Sequence, residues 1–185
     1  MGGSEVITTA RLILRPVRRE DGPALLALIS NWNVAQWLGT VPWPYGAQDM
    51  TEFLETIALP RTGGPKPIFA VVREGQPIGL AECIGQPQTN VSPGTDLGYW
   101  LGEPYWGKGY ASEAAAALIE RAFAQPAADV IRSGVFEGNA ASLRVQQKLG
   151  FEVVGEVMAN CRPRGRSVRL IRTQLTRTQG TIGRE

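Results

Sequence analysis

The chain of 185 residues contains no histidine. That absence excludes Ser-His-Asp and Cys-His catalysis, the His-Glu-x-x-His zinc site and any mechanism that needs a neutral imidazole. The two cysteines, Cys83 and Cys161, form no Cys-x-x-Cys motif and are too few for a zinc site of the usual kind. With 43% hydrophobic residues the chain can build a core without a disulfide, so both are expected as small buried hydrophobes in a reducing compartment. No apolar run approaches the ~18 residues of a membrane span. Residues 1–11 lack the basic-then-apolar order of a secretory leader. The expectation is one globular domain, cytoplasmic, with no membrane partner.

What is present begins with punctuation. There are 22 glycines and 13 prolines, so connections should be many and tight. The alternation of β-type runs with helical periods predicts strands over 11–17, 68–73, 77–84, 95–101, 130–136, 152–158 and 167–176. Helices are predicted over 19–29, with Asp21 as cap and Pro23 in the first turn, and from 48 or 49 to 59. A third covers 111–124, where Ala114, Ala115, Leu118 and Ile119 share one face. A fourth runs from an Asn139 cap to Gly150. Residues 31–45 read as irregular and aromatic, and 60–67 as a turn cluster. The fold class is α+β, a mixed and mostly antiparallel sheet of about seven strands with about four helices. Residues 8–176 form the single domain, and 1–7 and 177–185 are expected to be flexible termini.

Charge is uneven. The overall net charge is +2, but residues 161–185 hold seven arginines and one glutamate, which leaves −4 for residues 1–160. A basic end can meet nucleic acid or an acidic partner. It can equally be an exposed edge strand protected by charge.

The chemistry concentrates in Gly102-Glu-Pro-Tyr-Trp-Gly107-Lys108-Gly109-Tyr110-Ala111-Ser112, between a strand and the best helix of the chain. A helix N-terminus leaves backbone N–H groups unpaired and carries partial positive charge. Glycines let the backbone approach a ligand closely, so this is an anion nest suited to a phosphate or pyrophosphate. Spacing sorts the possibilities. As a P-loop it lacks the final Ser or Thr, because Gly109 stands there. As a dinucleotide fingerprint it lacks the third glycine, which is Ser112. The third pattern is Gln/Arg-x-x-Gly-x-Gly/Ala, the pyrophosphate loop of acyl-CoA-dependent N-acyltransferases. It matches Trp106-Gly-Lys-Gly109-Tyr-Ala111 except at Trp106.

With this loop, Thr9-Ala-Arg-Leu-Ile-Leu-Arg-Pro16, Pro42-Trp-Pro-Tyr45, Leu97-Gly-Tyr-Trp-Leu101, Asn139-x-x-Ser142 and Lys148-Leu-Gly-Phe151, the chain resembles the GNAT superfamily of N-acetyltransferases. Within it, the chain is most similar to the RimJ/RimL branch, which acetylates protein N-terminal amines. The resemblance implies acetyl-CoA as donor and direct attack by a primary amine. It also implies two central strands, 96–101 and 130–136, splayed around the pantetheine arm. Tyr99, Trp100 and Leu101 would then pair with that arm. Trp106, Gly107, Lys108, Gly109, Tyr110, Ala111 and Ser112 would hold the pyrophosphate, and Asn139 and Ser142 would contact the cofactor.

The family often places an acidic residue near Asp96. Glu82 is a second candidate base, because an acid in an apolar strand is costly unless partnered. Ser142 is the expected hydrogen-bond donor to the leaving thiolate, since the helix after the last central strand carries Val145, Gln146 and Gln147 where many members carry Tyr. Trp37, Trp43 and Tyr45 are expected over the acceptor cleft. No metal is expected. Two alternatives remain open at this point: a catalytically degenerate acyl-CoA-binding protein, and a ribosome- or RNA-associated module. Pairing of two copies through the C-terminal strands is open as well.

Overall fold

The computed structural model describes residues 5–58, 68–85, 95–126 and 128–177. Eight strands form one sheet in the order β1-β2-β3-β4-β5-β6-β8-β7. They are β1 (Ile7–Thr8), β2 (Ile13–Pro16), β3 (Ile68–Arg73), β4 (Gln76–Gly85), β5 (Thr95–Leu101), β6 (Val130–Phe136), β7 (Glu152–Cys161) and β8 (Arg166–Thr176). All neighbours pair antiparallel except β5 and β6, which run parallel. The helices are α1 (Gly22–Ile29), α2 (Trp32–Ala35), α3 (Ala47–Ala58), α4 (Tyr110–Phe123) and α5 (Ala140–Lys148).

Three details differ from expectation. Residues 5–7, assigned to a terminus, enter the fold: Ile7 pairs with Leu14, and Glu5 takes both Nε and Nη2 of Arg121. The aromatic segment after residue 31 contains α2, because the Asn31 side chain accepts the Asn33 N–H and caps it. Asp21 makes no side-chain cap to α1. Its carboxylate instead accepts the Arg18 N–H and both Nη groups of Arg15. The turn cluster expected over 60–67 and the extreme C-terminus lie outside the described residues.

Helices cover both faces of the sheet. On one face α4 lays Ala114, Ala115 and Leu118 against Leu14, Phe69, Val71 and Ile78. On the other, Leu25 and Ile29 of α1 and Met50 of α3 cover Ala70, Val72 and Leu80. Strand alternation explains the division, since Val71 and Val72 point to opposite faces. Both cysteines are free and buried.

The Arg15–Asp21 pair joins β2 to the start of α1 at 2.7 Å, with side chains 14% and 4% exposed. Burial pushes the Asp21 carboxyl up, but the bonds from Arg15 and Arg18 outweigh it and hold it below the ordinary Asp range. Its contribution to stability is therefore complete above the unfolded pKa and lost as pH falls through the lower folded one. Asp21→Asn leaves the Arg15 charge unpaired and should cost about 3 kcal/mol. Urea unfolding at neutral pH measures that loss, and the difference from wild type should shrink on acidification.

Candidate active site

Strands β5 and β6 run side by side for two residue pairs only, Thr95 with Ile131 and Asp96 with Arg132. At the next step a side chain replaces the ladder: Ser133 Oγ donates to the Leu97 carbonyl at 2.9 Å. Beyond it the strands diverge, each held on its far side by β4 or β8. The wedge opens into a cleft of about 850 Å³ lined from both sides of the sheet.

The bend between β5 and α4 forms one wall. Gly107 and Gly109 adopt φ of +73° and +81°. Gly109 is the N-cap of α4, and no side chain caps it. The first bond of the helix runs from Glu113 N to Gly109 O, so the amides of Tyr110, Ala111 and Ser112 precede it. A Cβ at Gly107 would meet open space, and one at Gly109 only the tip of Arg11. The bend is braced from behind. Glu113 accepts the Thr9 hydroxyl, the Arg11 N–H and Arg11 Nε, while Arg11 Nη1 donates to the Lys108 carbonyl.

Trp106, the residue that departs from the loop pattern, donates its indole N–H to the Leu101 carbonyl at 2.7 Å and ties the bend to β5. Lys108 folds back onto the Pro104 carbonyl and does not line the cleft, unlike Gly107 and Gly109.

Helix α5 forms the opposite wall. Asn139 Oδ1 accepts the Ser142 N–H, the capping bond expected from sequence. The Ser142 hydroxyl lies 3.1 Å from the Tyr99 hydroxyl across the wedge. Burial pushes the Tyr99 phenol up, against opposing hydrogen bonds from Ser142 and Gln146, so at neutral pH it keeps its proton. Gln146, 1% exposed, donates to Ser133 Oγ and accepts from Thr173 Oγ1.

The two candidate bases separate. Glu82 lines the cleft, and Asp96 does not. Asp96 sits at the closed end of the wedge, pairing with Ile84 on one side and Arg132 on the other. Glu82 pairs with Gly98, and a Cβ at Gly98 would come within 3.2 Å of Glu82 Oε1. The glycine leaves room for the carboxylate above β5. Among the described residues, Glu82 is the one carboxylate in the lining.

The aromatics separate too. Trp37 lines the cleft. Tyr45 is 8% exposed in the core with Leu25 and Met50, and Trp43 packs on Trp32 with ring centroids 5.0 Å apart. Neither of these two is in the lining. Sequence reading missed Ser133, Gln146 and the cations Arg144 and Lys148 that α5 contributes. The i, i+4 spacing of 144 and 148 signalled a shared face. The Ser133–Gln146–Thr173 chain joins residues from three elements and left no local signal.

Among the described residues no cysteine lines the cleft. Cys83 lies outside the lining, and burial pushes its thiol up to about 12. A buried thiol of that kind is inert. Native protein at pH 8 should therefore release no colour with Ellman's reagent, and two thiols should react after unfolding. A fast-reacting thiol in the native state would contradict this geometry.

A GNAT acetyltransferase domain matches residues 11–152. The uncharacterized N-acetyltransferase p20 of Bacillus licheniformis is 26% identical over 166 residues, 89% of this chain and 92% of its own length. Among solved structures, RimL, a ribosomal-protein alpha-N-acetyltransferase in complex with coenzyme A, is similar with a TM-score of 0.77 at 19% identity. That match covers 93% of this chain and 98% of RimL. Spermidine N-acetyltransferase from Vibrio cholerae, in complex with CoA and spermine, gives a TM-score of 0.74 at 18% identity, covering 94% of this chain and 99% of the other. At these identities the structural likenesses speak for the fold, and the match over most of the sequence speaks for descent: the chain belongs to the GNAT acetyltransferase family.

Proposed function

We propose that the protein transfers the acetyl group of acetyl-CoA to a primary amine, in a ternary complex, and that the preferred acceptor is the α-amine of a peptide or protein. The observation that carries this reading is the uncapped N-terminus of α4 behind two left-handed glycines, opening on a wedge between strands. The residues fit the cofactor. The amides from Gly107 to Ser112 suit its pyrophosphate. Arg144 and Lys148 suit its remaining phosphate. The β6-facing edge of Tyr99 to Leu101 suits an extended amide-bearing arm, with Asn139 beside it. Bound there, acetyl-CoA supplies an acyl group activated as a thioester.

The protein's own groups then divide the proton work. An α-amine has a pKa near 7.7–8.0, so a modest base suffices to present it neutral. Glu82 is the base, directly or through a water, as the carboxylate of the cleft. A hydrogen bond from the Ser142 hydroxyl, backed by the protonated Tyr99 phenol, stabilises the thiolate as it leaves. Backbone N–H groups of β5 near Trp100 act as fixed dipoles for the developing oxyanion. Trp37 lies on the acceptor side. RimL and the spermidine enzyme show that this fold serves both protein and small-molecule amines.

Two measurements test the proposal. Gly109→Val forces a β-branched residue to φ +81°. That strain costs about 1–3 kcal/mol and should weaken CoA binding about tenfold to a hundredfold by calorimetry. Glu82→Gln should lower kcat about 10²–10⁴-fold with CoA affinity retained, while Asp96→Asn should stay within a few-fold. Tight CoA binding with no thiol release across a broad amine panel would leave a binding protein rather than an enzyme.

A further inference from the structure

The turn joining β7 to β8 is a short 3-10 turn, Arg162–Arg164, closed by Gly165 at φ +61°. Together with the first residue of β8 it carries three of the arginines that make the C-terminal region basic, Arg162, Arg164 and Arg166. The turn is fastened to the part of the cleft wall that follows α2. Arg162 N donates to the Gly39 carbonyl and Arg164 Nε to the Gln36 carbonyl. Arg162 Nη1 reaches the Thr40 carbonyl, and the Arg164 guanidinium lies 4.4 Å over the Trp37 ring. Trp37, Gly39 and Thr40 all line the cleft.

Arg166 pairs with Cys161 across the hairpin, which places its exposed side chain on the face whose Cys161 Sγ lies 3.5 Å from the Gln36 carbonyl. Pro163 is buried beneath, so the turn is held in place rather than waving in solvent.

None of the three arginines pairs with a carboxylate among the described residues. Their neighbour Arg169 does so twice, with Glu137 and Glu156. Glu103, the carboxylate on the bend, is held by Asn31 and Asn33. The rim beside Trp37 therefore carries two anchored guanidinium groups, Arg162 and Arg164, with Arg166 exposed on the same hairpin, and none of the three meets a carboxylate among the described residues. A guanidinium fork recognises carboxylates, often through two parallel bonds.

We infer that the acceptor is an acidic peptide segment, its free α-amine directed into the cleft and its following carboxylate side chains on Arg162, Arg164 and Arg166. The inference rests on the acetyltransferase reading above and narrows it. A polyamine would meet like charge at this rim, whereas a chain bearing Asp or Glu after its first residue would be drawn to it.

The experiment compares three tetrapeptides with a free N-terminal alanine followed by Asp-Glu-Asp, Gln-Asn-Gln or Lys-Arg-Lys, together with spermidine. Acetyl-CoA thiol release is measured at low and high salt for the full chain and for Arg162→Ala combined with Arg166→Ala, two exposed side chains. The acidic peptide should be favoured over the neutral one about three- to tenfold in kcat/KM at low salt, carried by KM, as expected for partly exposed ion pairs. The ratio should fall toward unity in the double variant and at high salt.

Equal use of all three peptides, a preference for spermidine, or an acidic preference that survives the double substitution would overturn the inference and leave the acetyltransferase reading standing. If no amine is acetylated, that reading fails. Fluorescence anisotropy of the labelled acidic peptide then decides the inference alone: salt-sensitive binding lost in the double variant supports the surface, and no binding overturns it.

Discussion

The molecule turns on how two parallel strands are allowed to part. A strand with both neighbours paired presents no free peptide groups, and one that simply ends leaves buried groups unsatisfied. Here β5 and β6 pair at two positions, and a serine hydroxyl then takes the carbonyl that the ladder would have taken. Gln146 holds that hydroxyl from α5, and Thr173 of β8 holds Gln146. A buried polar network of this kind is favourable only when each member is satisfied. Among the described residues no buried side-chain polar atom is left without a partner. The vertex is thus a fixed point, and the cleft is what opens beyond it.

The second constraint acts at the mouth of the wedge. A helix N-terminus attracts an anion only if its amides stay exposed and its approach stays narrow enough to exclude a side-chain cap. Two glycines at positive φ meet both conditions. The Glu113 carboxylate gathers the β1–β2 turn against the bend, and the Trp106 indole ties the bend to β5. Trp106 thus performs a structural task in a position where the sequence pattern would place a Gln or Arg. Departure from a motif at one position is compatible with the motif's geometry when the substituted side chain faces backbone.

Much of the fold was legible because its signals are local. Strands β3, β5 and β6 take the bounds that their runs of β-type residues predict, and Asn139 and Gly150 bound α5 through the capping chemistry those residues favour. The β1 pair escaped notice because two residues are too few to show a period. Helix α2 did so because four residues rich in aromatic and polar side chains carry little helical propensity. Asp21 read as a helix cap by position, yet its carboxylate went to Arg15, a cation six residues earlier that only the folded chain brings to it.

The sequence by itself determined the family, the strand-to-helix bend and the absence of imidazole catalysis, because these rest on residue identity and short-range spacing. Only the tertiary structure decided which carboxylate faces the cleft. Asp96 and Glu82 both lie on strands, but pairing register sets Glu82 beside Gly98 and leaves Asp96 at the closed end of the wedge. It likewise sent Tyr45 into the core and kept Trp37 on the cleft wall. The same holds for the arginines of the β7–β8 turn, more than 120 residues from the carbonyls of α2's exit that receive them. Register and long-range docking depend on how whole elements pack, and a linear reading carries no measure of that.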